Sequence, residues 1–274
     1  PFDAAGVLAF LGARTIAGVE DVSGGVWRRV VRDGDALGVV RGAPDATGIQ
    51  IDVPLALTRA LPRIVARVRG VFDLDAEPTR IDAVLRKDPL LRPLVAARPG
   101  LRLPRTLDPF EAALRAVVGQ QVSVRAARTL VGRAAERFGA RLPAPDDGLT
   151  HALPDAETIA DATPGELAAL GMPLARARAL SLVARLFADG EIDAATPPDE
   201  AMATLVRLPG VGPWTAEYVA LRGLHWPDAF LPSDLGVRKA LGGASPKAAT
   251  ARAEAWRPWR GYALAPLWAT LGGG

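Results

Sequence analysis

The spacing of apolar residues changes character along this chain. In residues 25–42, GVWRRVVRDGDALGVVRG, valines and leucines form two runs on either side of Asp33-Gly34, the pattern of a β-hairpin with a tight turn. TGIQIDVP, residues 47–54, predicts a third strand that Pro54 closes. Apolar positions at helical spacing predict one helix over residues 7–15 and another from Leu55 through LALTRALPRIVARVRGVF. Residues 1–82 therefore read as a small α+β domain, an antiparallel sheet with helices packed on it.

From residue 81 the strand pattern fades and helical periods take over. Asp108 precedes Pro109 and Glu111, which supplies an acidic cap, a proline at the first helical position and a carboxylate three residues past the cap. Gly119 ends that helix, and a second is expected over 122–138. At least three short helices follow in residues 154–190, each opened by Asp or Thr ahead of Pro or Glu. Residues 83–274 read as all-α, with no solenoid repeat and no low-complexity tract.

Composition narrows the chemistry. The 274 residues suffice for one large domain or two to three small ones. No apolar run approaches the ~18 residues of a membrane span, and no signal-peptide pattern opens the chain. A cytoplasmic location without a membrane partner is expected. There is no cysteine, which excludes disulfides, thiol catalysis, cysteine-bound zinc and iron–sulfur clusters. The first residue is Pro1, which suits the downstream part of a longer product. Net charge is only +3, yet the basic residues are nearly all arginine, with lysine at Lys87, Lys239 and Lys247 alone. An arginine-rich surface suits phosphate contacts. A GC-rich coding sequence would produce the same bias, so charge by itself leaves the partner open.

The strongest local signal is LPGVGPWTAEYVALRGLHWPDAFLPSD, residues 208–234. DEAMATLVR before it reads as a helix, LPGVG breaks that helix, and Pro213 starts the next. This is a helix-hairpin-helix pattern, in which Gly210 and Gly212 are expected to take positive φ and to aim backbone N–H groups outward at a helix N-terminus. Such a nest suits a DNA backbone phosphate and reads no sequence. A plain glycine connector is the other reading. Trp214 and Tyr218 lie four apart, on one face of the second helix, which fits core packing as well as a pocket wall. Asp234, ahead of LGVRKAL, would serve as a helix cap.

The segment LPGVGPWTAEYVALRG followed by FLPSD resembles the helix-hairpin-helix superfamily of DNA base-excision glycosylases. Within it, GQQVSV (119–124), ALGMPLARARAL (169–180), RPGLRLP (98–104), WRPWRGYALAPLWAT (256–270) and the opening PFDAAGVLAFLGAR are similar to the AlkA-type branch, the 3-methyladenine DNA glycosylase II family. The likeness covers essentially the whole chain. It implies two mostly helical lobes after the first domain, one over 109–205 and one from 83–108 plus 206–274. It also implies excision of alkylated bases from double-stranded DNA by a monomer, with Asp234 as the catalytic carboxylate stabilising an oxocarbenium ion. Trp214, Tyr218, Trp268 and Phe10 would surround the flipped base, as electron-rich rings suit a methylated cationic purine.

Further roles follow from the same resemblance. The backbone of DNA would meet Gly210, Gly212, Pro213 and Thr215. The plug filling the gap in the stack would come from Gln120 and Gln121, where the family usually has a bulky apolar residue at position 121. No cofactor is required, though a structural Na+ or K+ would sit on the carbonyls of Val206, Leu208 and Val211. Lysine-dependent relatives carry their nucleophile where this chain has Trp214, so strand cleavage is not expected. The opening PFD would suit a glycosylase fused behind an alkyltransferase module. His151 and His225 fall in loop-like sequence and are assigned no catalytic role. A non-catalytic helix-hairpin-helix DNA-binding module and a glycosylase for oxidised or deaminated bases are the alternatives.

Overall fold

The computed structural model describes residues 1–45 and 48–270; Thr47, at the head of the stretch read as a third strand, and residues 271–274 lie outside them. The chain opens with α1 (Ala4–Gly12), which begins earlier than its apolar spacing suggests because the Asp3 carboxylate accepts from the Gly6 N–H and caps it. Four strands follow: β1 (Glu20–Ser23), β2 (Val26–Asp33), β3 (Ala36–Pro44) and β4 (Ile49–Asp52). They form one antiparallel meander in sequence order, with Asp33 opposite Ala36 at the expected hairpin. The short β1, joined to β2 at Gly24-Gly25, was not visible in the apolar pattern. The fold class is α+β.

Alternation along β2 gives the sheet two faces. Trp27, Arg29 and Val31 point one way, and Trp27 and Val31 join Val7, Leu11 and Val40 in a core closed by Ile64, Val68 and Phe72 of α2 (Leu61–Val71) and its end. On the other face Val30 and Val39 are covered from an unexpected direction, as described below.

Two short helices, α3 (Pro78–Leu85) and α4 (Leu91–Ala97), lead away from the sheet. Then come α5 (Pro109–Val118), capped by Asp108 through the Glu111 N–H at 2.8 Å, and α6 (Val124–Phe138), capped by Ser123. Residues 83–274 are not all-α, contrary to the expectation from the sequence. β5 (Arg141–Asp146) and β6 (Leu149–His151) make a second antiparallel hairpin. Asp147 and Gly148 both take positive φ at its turn, +47° and +85°, the Asp-Gly signal already used for the first hairpin. Leu142 and Leu149 cover Val30 and Val39 on the back of the first sheet. His151 consequently lies on a strand and not in a loop.

The remaining helices are α7 (Ala156–Asp161), α8 (Pro164–Ala168) with a complete Thr163–Glu166 capping box, α9 (Leu174–Ala188), α10 (Pro198–Leu205), α11 (Pro213–Arg222), α12 (Leu235–Ala240), α13 (Pro246–Ala253) and α14 (Arg260–Ala269). They build two cores. One gathers Leu114, Val117, Val131, Leu180, Val183 and Leu205; the other gathers Ile81, Leu85, Leu91, Val237, Trp256 and Leu264. The helix α11 joins them: Ala216 and Val219 belong to the first core, Ala220 and Leu221 to the second. Its remaining face carries Trp214, Tyr218 and Arg222.

Candidate active site

That third face of α11 is one wall of a cavity of about 430 Å3. Helical spacing stacks Trp214 over Tyr218, with ring centroids 5.4 Å apart, and continues the ladder to Arg222. Phe10 and Arg14, one turn apart at the end of α1, face it from the sheet domain, and Trp268 reaches in from α14. Gly119, Val122 and Ser123 of the turn between α5 and α6 also line it. Residues far apart in sequence, Phe10, Trp214, Tyr218, Asp234 and Trp268, are thus brought to one cavity.

Asp234 is the N-cap of α12: its Oδ1 accepts from the Val237 N–H at 2.9 Å. The capping role anticipated from the sequence is real, but it does not account for the other contacts. The indole N–H of Trp268 donates to Oδ1 at 3.1 Å, and that of Trp214 donates to Oδ2 at 3.3 Å. Two aromatic walls of the cavity therefore hold the carboxylate that lies between them.

Phe10 is shared among three neighbours. The Arg14 guanidinium lies 3.9 Å and that of Arg222 4.8 Å from its ring centroid, and Trp268 stacks at 6.2 Å. Arg222 is 4% exposed, donates to the Tyr218 hydroxyl at 3.3 Å and leaves its Nε without a partner among the described residues. Burial pushes its pKa down, and burial together with Arg222 lowers that of Arg14 to about 10. Sequence reasoning missed both arginines. For Arg222 the available signal was a charged residue extending the i, i+4 ladder of Trp214 and Tyr218 on one face of α11.

Beneath them lies a buried ionic cluster. Arg29 donates to Glu20 at 2.8 Å and to both oxygens of Glu111 at 3.0 and 2.9 Å. Arg115 donates to Glu111 and Glu20, and also to the carbonyl of Arg14 at 3.1 Å. Burial would raise the Glu111 pKa, but Arg29 and Arg115 overcome it and hold the carboxyl well below its usual range. The cluster binds β1 and β2 to α5 and fixes the end of α1 that carries Phe10 and Arg14.

The hairpin between α10 and α11 corrects several expectations. Gly210 takes φ +84°, and a Cβ there would sit 3.0 Å from the Ala179 Cβ. Gly212 has an ordinary φ of −95°, with open space where a Cβ would be, so the turn itself does not require glycine there. Pro213 starts α11 as expected. Thr215 is 2% exposed, and its hydroxyl accepts from the Gln120 amide at 3.0 Å, so its side chain is engaged within the protein. Gln120 also donates to the Gly210 carbonyl at 3.0 Å and so does not protrude as a plug. Gln121 is exposed at the tip of the turn with φ +55°.

The carbonyl of Leu208 accepts from the Val211 N–H, while those of Val206 and Val211 accept no backbone hydrogen bond among the described residues. His225 packs on Gly70 at the junction between α2 and the loop after α11, and burial pushes its pKa down to about 4. Neither histidine lines the cavity, and none of the three lysines does. Among the described residues no group of three or more His, Cys, Asp or Glu could hold a metal ion.

The small antiparallel sheet domain followed by a mostly helical region is the fold of the helix-hairpin-helix base-excision proteins. Residues 1–108 match the family model of the AlkA N-terminal domain, and residues 114–260 match that of the HhH-GPD superfamily of base excision DNA repair proteins. The chain belongs to that superfamily. It is 42% identical over 277 residues to a probable bifunctional transcriptional activator/DNA repair enzyme AlkA of Mycobacterium tuberculosis, covering 99% of this chain and 55% of the relative. The chain thus spans about half the length of that relative. It is 39% identical to DNA-3-methyladenine glycosylase 2 of Escherichia coli, over 99% of this chain and 95% of the relative. A solved 3-methyladenine DNA glycosylase from Archaeoglobus fulgidus shares the fold with a TM-score of 0.82 at 23% identity, covering 98% of this chain and 94% of that one.

Proposed function

We propose that this chain is a monofunctional DNA glycosylase. It binds duplex DNA, takes an extruded base of the 3-methyladenine or 7-methylguanine type into the cavity, and hydrolyses the N-glycosidic bond. The observation that carries this reading is Asp234, gripped by two indole N–H groups beyond the backbone N–H that it caps. A cap alone needs only the bond to Val237. The indoles fix the carboxylate where a base stacked on Trp214, Tyr218 or Trp268 would present its sugar.

As the bond from C1′ to the base nitrogen lengthens, positive charge develops on the deoxyribose. A fixed carboxylate offsets that charge, and the lone pairs left on Oδ2 can orient or deprotonate the attacking water. A cationic alkylated base departs as a neutral molecule, so no general acid is called for. With Trp214 in place of an amine nucleophile, the product is an abasic site on an intact strand. The N–H groups of Gly210 and Gly212, at the start of α11, suit a backbone phosphate, and the bare Cα of Gly212 allows it to approach. The neutral carbonyl oxygens of Val206, Leu208 and Val211 suit a Na+ or K+, which would add positive charge beside that phosphate.

The test is release of free base from methylated duplex DNA, with strand integrity checked before alkali is added. Release of 3-methyladenine from unbroken DNA is the expected result. Asp234→Asn should keep DNA binding while lowering release by roughly 10²-fold or more. Tight binding by the wild type with no base released would sink the reading and leave a DNA-binding module.

A further inference from the structure

We propose that Gln120 is a positioning residue that braces the turn between α5 and α6 against the hairpin. By doing so it holds Gln121 outward as the group that fills the gap left by an extruded base. The inference rests on the glycosylase reading above, and its physical basis is local.

The amide nitrogen of Gln120 has two N–H groups, and both are used across the molecule: one on the Gly210 carbonyl, one on the Thr215 hydroxyl, each at 3.0 Å. These acceptors sit on the hairpin and on the first turn of α11. Thr215 is buried, so its hydroxyl offers this contact a fixed anchor. Gly210 takes φ +84° with the Ala179 side chain close against it, so that a Cβ there would lie 3.0 Å from the Ala179 Cβ.

Gln121, the next residue, takes φ +55°. A long-chained L-residue persists in that region only where its surroundings hold it there. The turn's own backbone bonds are long: the Gln120 N–H reaches the Val117 carbonyl at 3.3 Å, and the Val122 N–H reaches the Gly119 carbonyl at 3.5 Å. The Gly119 N–H closes α5 on the Arg115 carbonyl at 2.9 Å; past that residue the Gln120 side-chain contacts, at 3.0 Å, are shorter than the turn's own backbone bonds. They set the distance between the plug and the phosphate-binding hairpin, and they also seat Gly119, Val122 and Ser123, which line the cavity mouth.

The experiment compares Gln120→Leu, which keeps bulk without donors, and Thr215→Val, which removes one acceptor. Amide hydrogen exchange over residues 119–124 is read in the free protein. On a duplex holding an uncleavable abasic analogue, 2-aminopurine opposite the lesion reports stacking of the plug, and kcat and KM for base release are measured separately. Gln120→Leu should exchange about tenfold faster at the turn, lose most of the stacking signal, and lower kcat more than KM changes. Thr215→Val should fall between it and the wild type. Exchange and stacking that stay at wild-type values in Gln120→Leu overturn the brace. A wild type that releases no base fails the glycosylase reading instead, and exchange at the turn judges the brace without any DNA.

Discussion

At the scale of single residues, this protein places charged groups where burial makes them costly unless something compensates. Asp234 is compensated threefold, by one backbone and two indole donors. Glu217, on α11 between Trp214 and Tyr218 in sequence, is not. Its Oε2 is buried with no partner among the described residues, and desolvation pushes its pKa up to about 7, only partly opposed by Arg260. The folded protein therefore favours the neutral acid. The destabilisation from ionising it begins as pH rises past the unfolded value near 4.5 and is complete above about 7. Glu217→Gln should melt a few degrees above the wild type at pH 8, at roughly 2–4 °C per kcal/mol for domains of 150–250 residues, and the gap should close near pH 4. Thermal melts at the two pH values check this, and an equal difference at both would contradict it.

At the scale of elements, the hairpin and α11 organise the site. The two hairpin glycines, expected to be alike, differ in kind. Gly210→Ala must place a Cβ in the left-handed region against Ala179, so a loss of about 1–2 kcal/mol is expected in denaturant unfolding. Gly212→Ala meets neither obstacle, and its stability should stay within about 0.5 kcal/mol of the wild type. Its duplex affinity should nevertheless fall, because the new methyl group stands where a phosphate would approach. Equal stability losses in the two variants would refute the distinction. The β5–β6 hairpin makes a related point: Asp147-Gly148 is as good a turn signal as Asp33-Gly34, but its strands are short, PAP interrupts one of them, and apolar alternation is weak. Its stability comes from covering Val30 and Val39, which no local pattern reveals.

At the scale of the whole molecule, the cavity exists only because the sheet domain is locked onto the helical lobe. Arg29, Glu20, Glu111 and Arg115 provide that lock with side chains between 3% and 14% exposed. Arg29→Met leaves two buried carboxylates short of a partner and should lower stability by about 3–5 kcal/mol, as read by urea unfolding. A loss below about 1 kcal/mol would mean that the cluster is solvated in solution. Duplex binding should weaken steeply with salt, log K falling by about 0.9 per phosphate neutralised for each unit of log salt. A flat profile would contradict a phosphate-binding hairpin.

Much of the architecture was legible because it depends on near neighbours. Periodicity, caps such as Asp108 and Thr163, and the LPGVGPW break are written within a few residues, and helices and turns form by contacts at that range. The resemblance pointed to Asp234, Trp214, Tyr218, Trp268 and Phe10 as one group, and the fold brings these five to one cavity. What only the tertiary structure decided involves partners distant along the chain: the indole grip on Asp234, the buried Arg222 beside Phe10, the bracing of Gln120 on Gly210 and Thr215, and the open space at Gly212. A side chain's hydrogen-bond partner and its burial are properties of what packs against it, and over separations of 20 to more than 90 residues no spacing rule encodes them.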